Sequence, residues 1–168
     1  MLLAGVLLAA VAWGTPSAST QTLEGDWEYV TEGSADIAAT IEGTVSKMAF
    51  FKRPIARTRL KKTNAAYRRI TIQRAADQIV IRFDGAKPVP MPASGDRVKW
   101  AREDGETFDV SGKWHDSSVI QSFAAPDGER LNTFRLVGDG DALTLEVKLI
   151  SEQLPGPVTY VLMYRRAR

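Results

Sequence analysis

Beyond Tyr67 apolar and polar residues alternate along the chain. In "ALTLEVKLI", Leu143, Leu145, Val147 and Leu149 fall on one side and Thr144, Glu146 and Lys148 on the other. That period of two belongs to a strand with one face on a core and one in water. The same pattern runs through "RRITIQR", "QIVIRFDG", "DRVKWARED", "ETFDVSGKW", "SVIQSFAA", "RLNTFRLVG" and "VTYVLMYRR". Between these stretches lie turn residues: Ala76-Asp77, Asp104-Gly105, His115-Asp116-Ser117, Pro126-Asp127-Gly128, Gly138 to Asp141, and Leu154 to Pro157. Links this short join antiparallel neighbours, so the simplest topology is an up-and-down meander of about nine or ten strands. Pro88, Pro90 and Pro92 confine "VPMPASG" to an edge or a loop, because proline has no N–H to give a ladder. The last strand, "VTYVLMY", is apolar on both sides, which predicts cover on both faces.

Upstream the period lengthens. A first strand, "DWEYV", is followed by Ile37, Ile41, Val45, Met48 and Phe51 at the three-to-four spacing of one helical face. Ser34 is placed to cap this helix, and Asp36 falls in the first turn, where the helix dipole favours a negative charge. Pro54 ends it and suits the first turn of a second helix near 54–62. The chain is thus read as mainly β, with a helical insertion over 34–62 after strand one.

The first residues form a separate segment. "LLAGVLLAAVAW", residues 2–13, is uncharged and apolar, but far shorter than the roughly 20 residues that span a bilayer. "GTPSAST" follows, small and turn-prone, so residues 1–19 are read as a signal peptide cut between Ser17 and Thr20, and 20–168 as one mature domain. There is no cysteine, which excludes disulfides, thiolate metal sites and cysteine nucleophiles. An exported domain stabilised without disulfides points to a bacterial periplasm or cell envelope.

The mature chain opens with Gly25-Asp26-Trp27 and ends with Arg165 and Arg166 just after its final strand. With a meander of short strands between them, this resembles the calycin superfamily, the lipocalins and fatty-acid-binding proteins. The resemblance implies an antiparallel barrel in which Gly25 and Trp27 sit at the closed end and Arg165 or Arg166 lies across the indole. The helix pair after strand one is similar to the helical lid of fatty-acid-binding proteins. The Thr-Asp-Tyr motif of lipocalins is absent, as is the Arg-x-Tyr pair of the cytosolic binding proteins; the last strand carries Tyr160, Tyr164 and Arg165 instead.

Charge adds one feature. The total is only +2, yet Gly43 to Ala76 holds ten Lys and Arg and no Asp or Glu. Lys52, Arg53, Arg57, Arg59, Lys61 and Lys62 are interleaved with Met48, Phe51, Ile55 and Leu60. Such a stretch can lie on an anionic membrane, gate a cavity for an anionic amphiphile, or plug the barrel with its apolar side. An exported protein meets little nucleic acid, which argues against that partner. Met48, Phe51, Arg57, Arg59, Trp100, Trp114 and Tyr160 are the candidate ligand and lid residues; Lys52, Arg53, Lys61 and Lys62 are the candidates for a membrane or partner. Catalytic and metal signatures are missing: His115 is a lone turn histidine, and Asp139, Asp141 and Glu146 lack calcium-loop spacing. No motif calls for a cofactor. The reading that follows is an exported, non-catalytic binder or carrier of a hydrophobic or amphipathic, anionic small molecule. Two others stay open: an envelope interaction module with a fully packed barrel and a basic docking face, and a small enzyme with a cavity site.

Overall fold

The computed structural model describes residues 22–168, so the apolar leader and its expected cleavage region lie outside the described residues. Strand β1 (Gly25–Val30) leads through a loop to helix α1 (Ile37–Val45), a 3-10 turn (Phe50–Lys52) and helix α2 (Arg53–Thr63). Nine strands follow: β2 (Arg69–Arg74), β3 (Gln78–Phe83), β4 (Val89–Pro92), β5 (Val98–Ala101), β6 (Thr107–His115), β7 (Ser118–Ala125), β8 (Gly128–Val137), β9 (Ala142–Ile150) and β10 (Val158–Arg166). All neighbours are antiparallel, in the order β4-β3-β2-β1-β10-β9-β8-β7-β6-β5. The sheet is therefore a meander bent into a nearly closed barrel, its first and last strands paired and its one break between β4 and β5. No helix among the described residues is long and apolar enough to cross a membrane.

Closure rests on the pairing of Trp27 with Arg166 and Tyr29 with Tyr164. Trp27 is fully buried and donates its indole N–H to the Leu23 carbonyl at 3.0 Å. Arg166 lies 4.3 Å above the indole ring and donates to the carbonyl oxygens of Thr22, Glu24 and Gly140, joining the chain before β1 to the β8–β9 turn. Of the two terminal arginines this is the one across the tryptophan. Arg165 points outward and reaches only Glu28 at 3.6 Å. Gly25, at φ +128°, is required here, because a β-carbon would come within 2.9 Å of the Arg166 guanidinium.

At the break, side chains replace the missing ladder. Trp100 Nε1 donates to Pro88 O at 2.9 Å, Lys87 Nζ donates to Ala101 O at 2.8 Å, and the Lys87 amide donates to Glu103 at 3.1 Å. Pro90 and Pro92 stand on the free edge of β4, where no N–H is needed, while Val89 and Met91 face the core.

Three local expectations are corrected. Asp36, not Ser34, caps α1, accepting from the Ala39 amide at 3.0 Å. The Ser34 hydroxyl is spent elsewhere, donating to Val30 O and accepting from the Met163 amide, which ties the loop to β10. Helix α1 stops at Val45, so its buried face is Ile41 and Val45, and Met48 and Phe51 lie beyond it in the link to α2. Finally, β10 alternates. Val158, Tyr160, Leu162 and Tyr164 are buried, whereas Thr159 and Val161 are exposed. An apolar outer residue tolerates water here because burial of the inner face already holds the strand.

Trp27→Ala removes a fully enclosed indole from the closing pair, so urea unfolding should show a loss of about 3–5 kcal/mol. Arg166→Ala should lose about 2 kcal/mol through its carbonyl contacts and the stacked ring. Arg165→Ala, by contrast, should stay within about 0.5 kcal/mol. Equal losses for the two arginines would overturn the assignment of the latch to Arg166.

Candidate functional site

Alternate turns of a meander gather at opposite ends of the barrel. The β3–β4, β5–β6, β7–β8 and β9–β10 turns meet at the end covered by the helices, around a cavity of about 830 Å³. At the other end the interior is filled. Trp27, Met91, Val110, Val119, Phe134 and Leu143 are all buried, and none lines the cavity. The barrel is thus half packed and half open.

Tyr67, Phe83, Trp100, Phe108, Phe123 and Leu149 form the walls. They reach the interior because each strand alternates; Trp100 stands opposite Phe108, and Val110 opposite Phe123. Their rings pack on one another, with Tyr67 and Phe83 centred 4.3 Å apart and Trp100 and Phe123 meeting edge to face at 5.9 Å. Overhead are Met48, Phe51, Ile55 and Leu60 from the helical segment. Helix α2 buries no residue completely, since beneath it there is a cavity and not a core.

Set into this apolar wall is Arg130. Its Nε donates to Asn132 Oδ1 at 2.9 Å, and Asn132 in turn donates to Gln121 at 2.9 Å. Its Nη1 donates to Asn64 Oδ1 at 3.0 Å and to Thr63 O at 3.3 Å. Tyr160 donates its hydroxyl to the same Asn64 oxygen at 3.1 Å, and burial pushes its phenol above the ordinary tyrosine range. Tyr164, deeper on the same strand, is pushed up further by burial, and its hydroxyl has no partner among the described residues. Among the described residues no carboxylate pairs with Arg130, although Arg57, Arg59 and Arg102 each have one. A half-buried guanidinium in an aromatic wall, held only by neutral amides and carbonyls, is a position where an anion is strongly favoured.

The rim is charged on both sides. Arg59 on α2 meets Asp127 of the β7–β8 turn at 2.5 Å, fastening the helix across the opening. Arg102 holds Asp104 and Glu106 within the β5–β6 turn.

Met48, Phe51, Lys52, Arg59 and Trp100 line the cavity. Tyr160 stands behind Asn64 and reaches the cavity through it. Arg57 does not line the cavity; it bridges α2 to α1, paired with Glu42 at 2.6 Å, and its hydrogen bond lowers that carboxyl's pKa. Trp114 is at the filled end, under Arg74 and bonded to Asp116 O, because β6 carries it away from the end where β5 leaves Trp100. Arg53 donates to Met48 O and braces the link between the helices; Lys61 and Lys62 are exposed. Gly25, Trp27, Arg165 and Arg166 lie at the filled end. Sequence reading passed over Arg130, Asn64, Tyr67, Phe108 and Phe123. A signal for Arg130 was present: with Asn132, Phe134 and Leu136 it shares the inward parity of its strand, where a charged residue is out of place.

No family model matches the chain, and no curated protein sequence matches it. Solved structures do. A "secretary abundant heat soluble" protein from Ramazzottius varieornatus matches over 89% of this chain and 98% of its own, at 11% identity and a TM-score of 0.61. Echinococcus granulosus fatty-acid-binding protein 1 matches over 87% and 98%, at 11% identity and a TM-score of 0.56. A Schistosoma mansoni fatty acid binding protein, solved in complex with arachidonic acid, matches over 92% and 100%, at 15% identity and a TM-score of 0.53. The fold is that of the fatty-acid-binding-protein-like calycin barrels. Ten antiparallel strands and a two-helix insertion after strand one are the features this chain shares with such barrels.

The rim gives a direct test of its geometry. The Arg102 guanidinium holds the Asp104 carboxyl down at about 2. A lowered carboxyl stabilises the turn above its ordinary range, and this contribution fades only as the pH falls toward 2. Carbon-detected NMR titration should place the Asp104 midpoint near that value. Arg102→Ala should return it to the usual carboxylate range; an ordinary midpoint in the unaltered chain would refute the rim pairing.

Proposed function

We propose that the chain is a non-catalytic binder and carrier of an anionic amphiphile, a molecule with a long apolar tail and one ionised headgroup. The observation that carries this reading is Arg130, a guanidinium without a carboxylate partner among the described residues, in the aromatic wall of an 830 Å³ cavity. That volume falls within the range of about 300–1,000 Å³ typical of small-molecule sites. The tail lies against Tyr67, Phe83, Phe108 and Phe123, and the headgroup supplies the charge that Arg130 lacks. Likeness in fold to proteins named as fatty-acid binders supports the apolar part of the ligand. The ionised headgroup is argued from Arg130 alone, and export to a bacterial periplasm or envelope from the leader-like residues 1–19. The open half of the barrel speaks against the fully packed interaction module.

A second observation concerns delivery. Phe50, Phe51 and Ile55 are 79%, 63% and 74% exposed on the helical segment, next to Lys47, Lys52, Lys61 and Lys62. Apolar side chains standing in water within a cationic rim fit an anionic bilayer, where each nearby charge contributes about 1 kcal/mol. We infer that the carrier loads or unloads at such a surface.

Titration calorimetry with hexadecanoate and with the neutral hexadecanol separates tail from headgroup. Arg130→Gln should weaken hexadecanoate by about tenfold or more, and hexadecanol much less. Unchanged hexadecanoate binding in this variant would sink the assignment of the headgroup to Arg130. For delivery, Phe50→Asp combined with Phe51→Asp should abolish sedimentation with phosphatidylglycerol vesicles while leaving the melting temperature within a few degrees. Vesicle binding that survives both changes would remove the membrane from the reading.

A further inference from the structure

We propose that Asn64 is the residue by which this chain makes an ionised headgroup and a docked lid alternatives. The inference rests on the carrier reading above and concerns how Arg130 is shared.

A guanidinium has five N–H donors. On Arg130, Nε is committed to Asn132, and Nη1 to Asn64 Oδ1 and Thr63 O; Nη2 has no partner among the described residues. A carboxylate binds most strongly as a fork across two nitrogens. With only Nη2 open, the fork must recruit Nε or Nη1. Nε is held by an asparagine that is itself buried and bonded to Gln121 within the sheet. Nη1 is held by the end of a helix. Asn64 is the C-terminal cap residue of α2, and Thr63 is the last residue of that helix. Helix ends fray at little cost, whereas sheet interiors do not. Nη1 is therefore the nitrogen that yields.

Electrostatics points the same way. The last carbonyls of α2 carry the negative end of the helix dipole, and Arg130 is the cation that faces them. In the empty site the helix end acts as the counter-charge of Arg130. An incoming carboxylate takes over that role and brings a second negative group against Thr63 O. The two compete for one guanidinium, so binding of the anion weakens docking of the last turn of α2, and lid docking weakens binding of the anion to the same degree. A neutral headgroup of equal length makes no claim on Nη1 and does not enter this competition. When Arg130 leaves it, Asn64 Oδ1 still accepts from Tyr160 while its amide donates to Leu60 O within α2, so this one hydrogen bond is what then ties the loosened helix end to β10. The same helix carries Lys61 and Lys62, which are exposed, so occupancy of the cavity is transmitted to residues that meet solvent.

The test uses the chain as a whole and two probes, hexadecanoate and hexadecanol. Hydrogen exchange over residues 60–66 should quicken when hexadecanoate saturates the site and should not quicken with hexadecanol. Slower or unchanged exchange with hexadecanoate would overturn the inference. Asn64→Asp provides a second, independent readout, because it fastens a carboxylate next to Arg130 with almost no change of shape. The ratio of the two dissociation constants should move about tenfold against hexadecanoate. A ratio unchanged by Asn64→Asp, with both probes bound, overturns this inference alone. Failure of the unaltered chain to bind either probe overturns the carrier reading and takes the inference with it.

Discussion

Trp27 and Arg166 meet where the first strand pairs with the last, and the rest of the barrel depends on that meeting. A meander of ten strands has two free edges wherever it is cut. Pairing β1 with β10 moves the cut to β4 and β5, two strands of four residues each, where prolines and side-chain bonds to carbonyls can manage it. The indole, buried and bonded to Leu23, fills the end of the barrel, and the guanidinium above it ties three carbonyls, two from the chain before β1 and one from the β8–β9 turn. Because that end is filled, the apolar residues of the helix end need not pack on one another across the whole lumen. A cavity can persist there without unfolding the sheet.

The open half holds the charge that sets the chemistry of the site. Aromatic side chains from four strands and the link to β2 leave an apolar space, and into it projects a cation whose partners are all neutral or are the end of a helix. In water such a charge would be solvated; here it is partly stripped and partly compensated. The arrangement makes sense as a receptor for an anion, and it explains why Asn64, a helix cap, is buried with both side-chain polar atoms bonded. The lid is thereby wired to the floor of the cavity as well as latched at its rim by Arg59 and Asp127.

Period and turn chemistry made the strands legible, and Pro54 marked the helix junction, because these signals are local: each depends on residues within one element or one turn. The Gly-x-Trp and the terminal arginines were legible as a pair through resemblance, though only geometry could choose Arg166 over Arg165. Choosing Ser34 as the cap failed for a tertiary reason, since its hydroxyl is claimed by β10. Extending α1 to Phe51 failed because an apolar stripe continues past the point where the helix ends. Trp100 and Trp114 look alike in sequence, yet adjacent strands run in opposite directions and carry them to opposite ends.

What this sequence determined by itself is the mainly antiparallel β framework, the helical insertion after strand one, and the cationic character of that insertion. Such properties follow from the spacing of side chains along a local backbone. Tertiary structure alone decided that the barrel is half filled, that Arg57 is spent on Glu42, and that Arg130, Asn64 and Tyr160 converge. Those three residues are 30 to 96 positions apart in pairs, and nothing in the neighbourhood of any one of them names the others. They meet only because closing the barrel brings β8 and β10 beneath the end of α2.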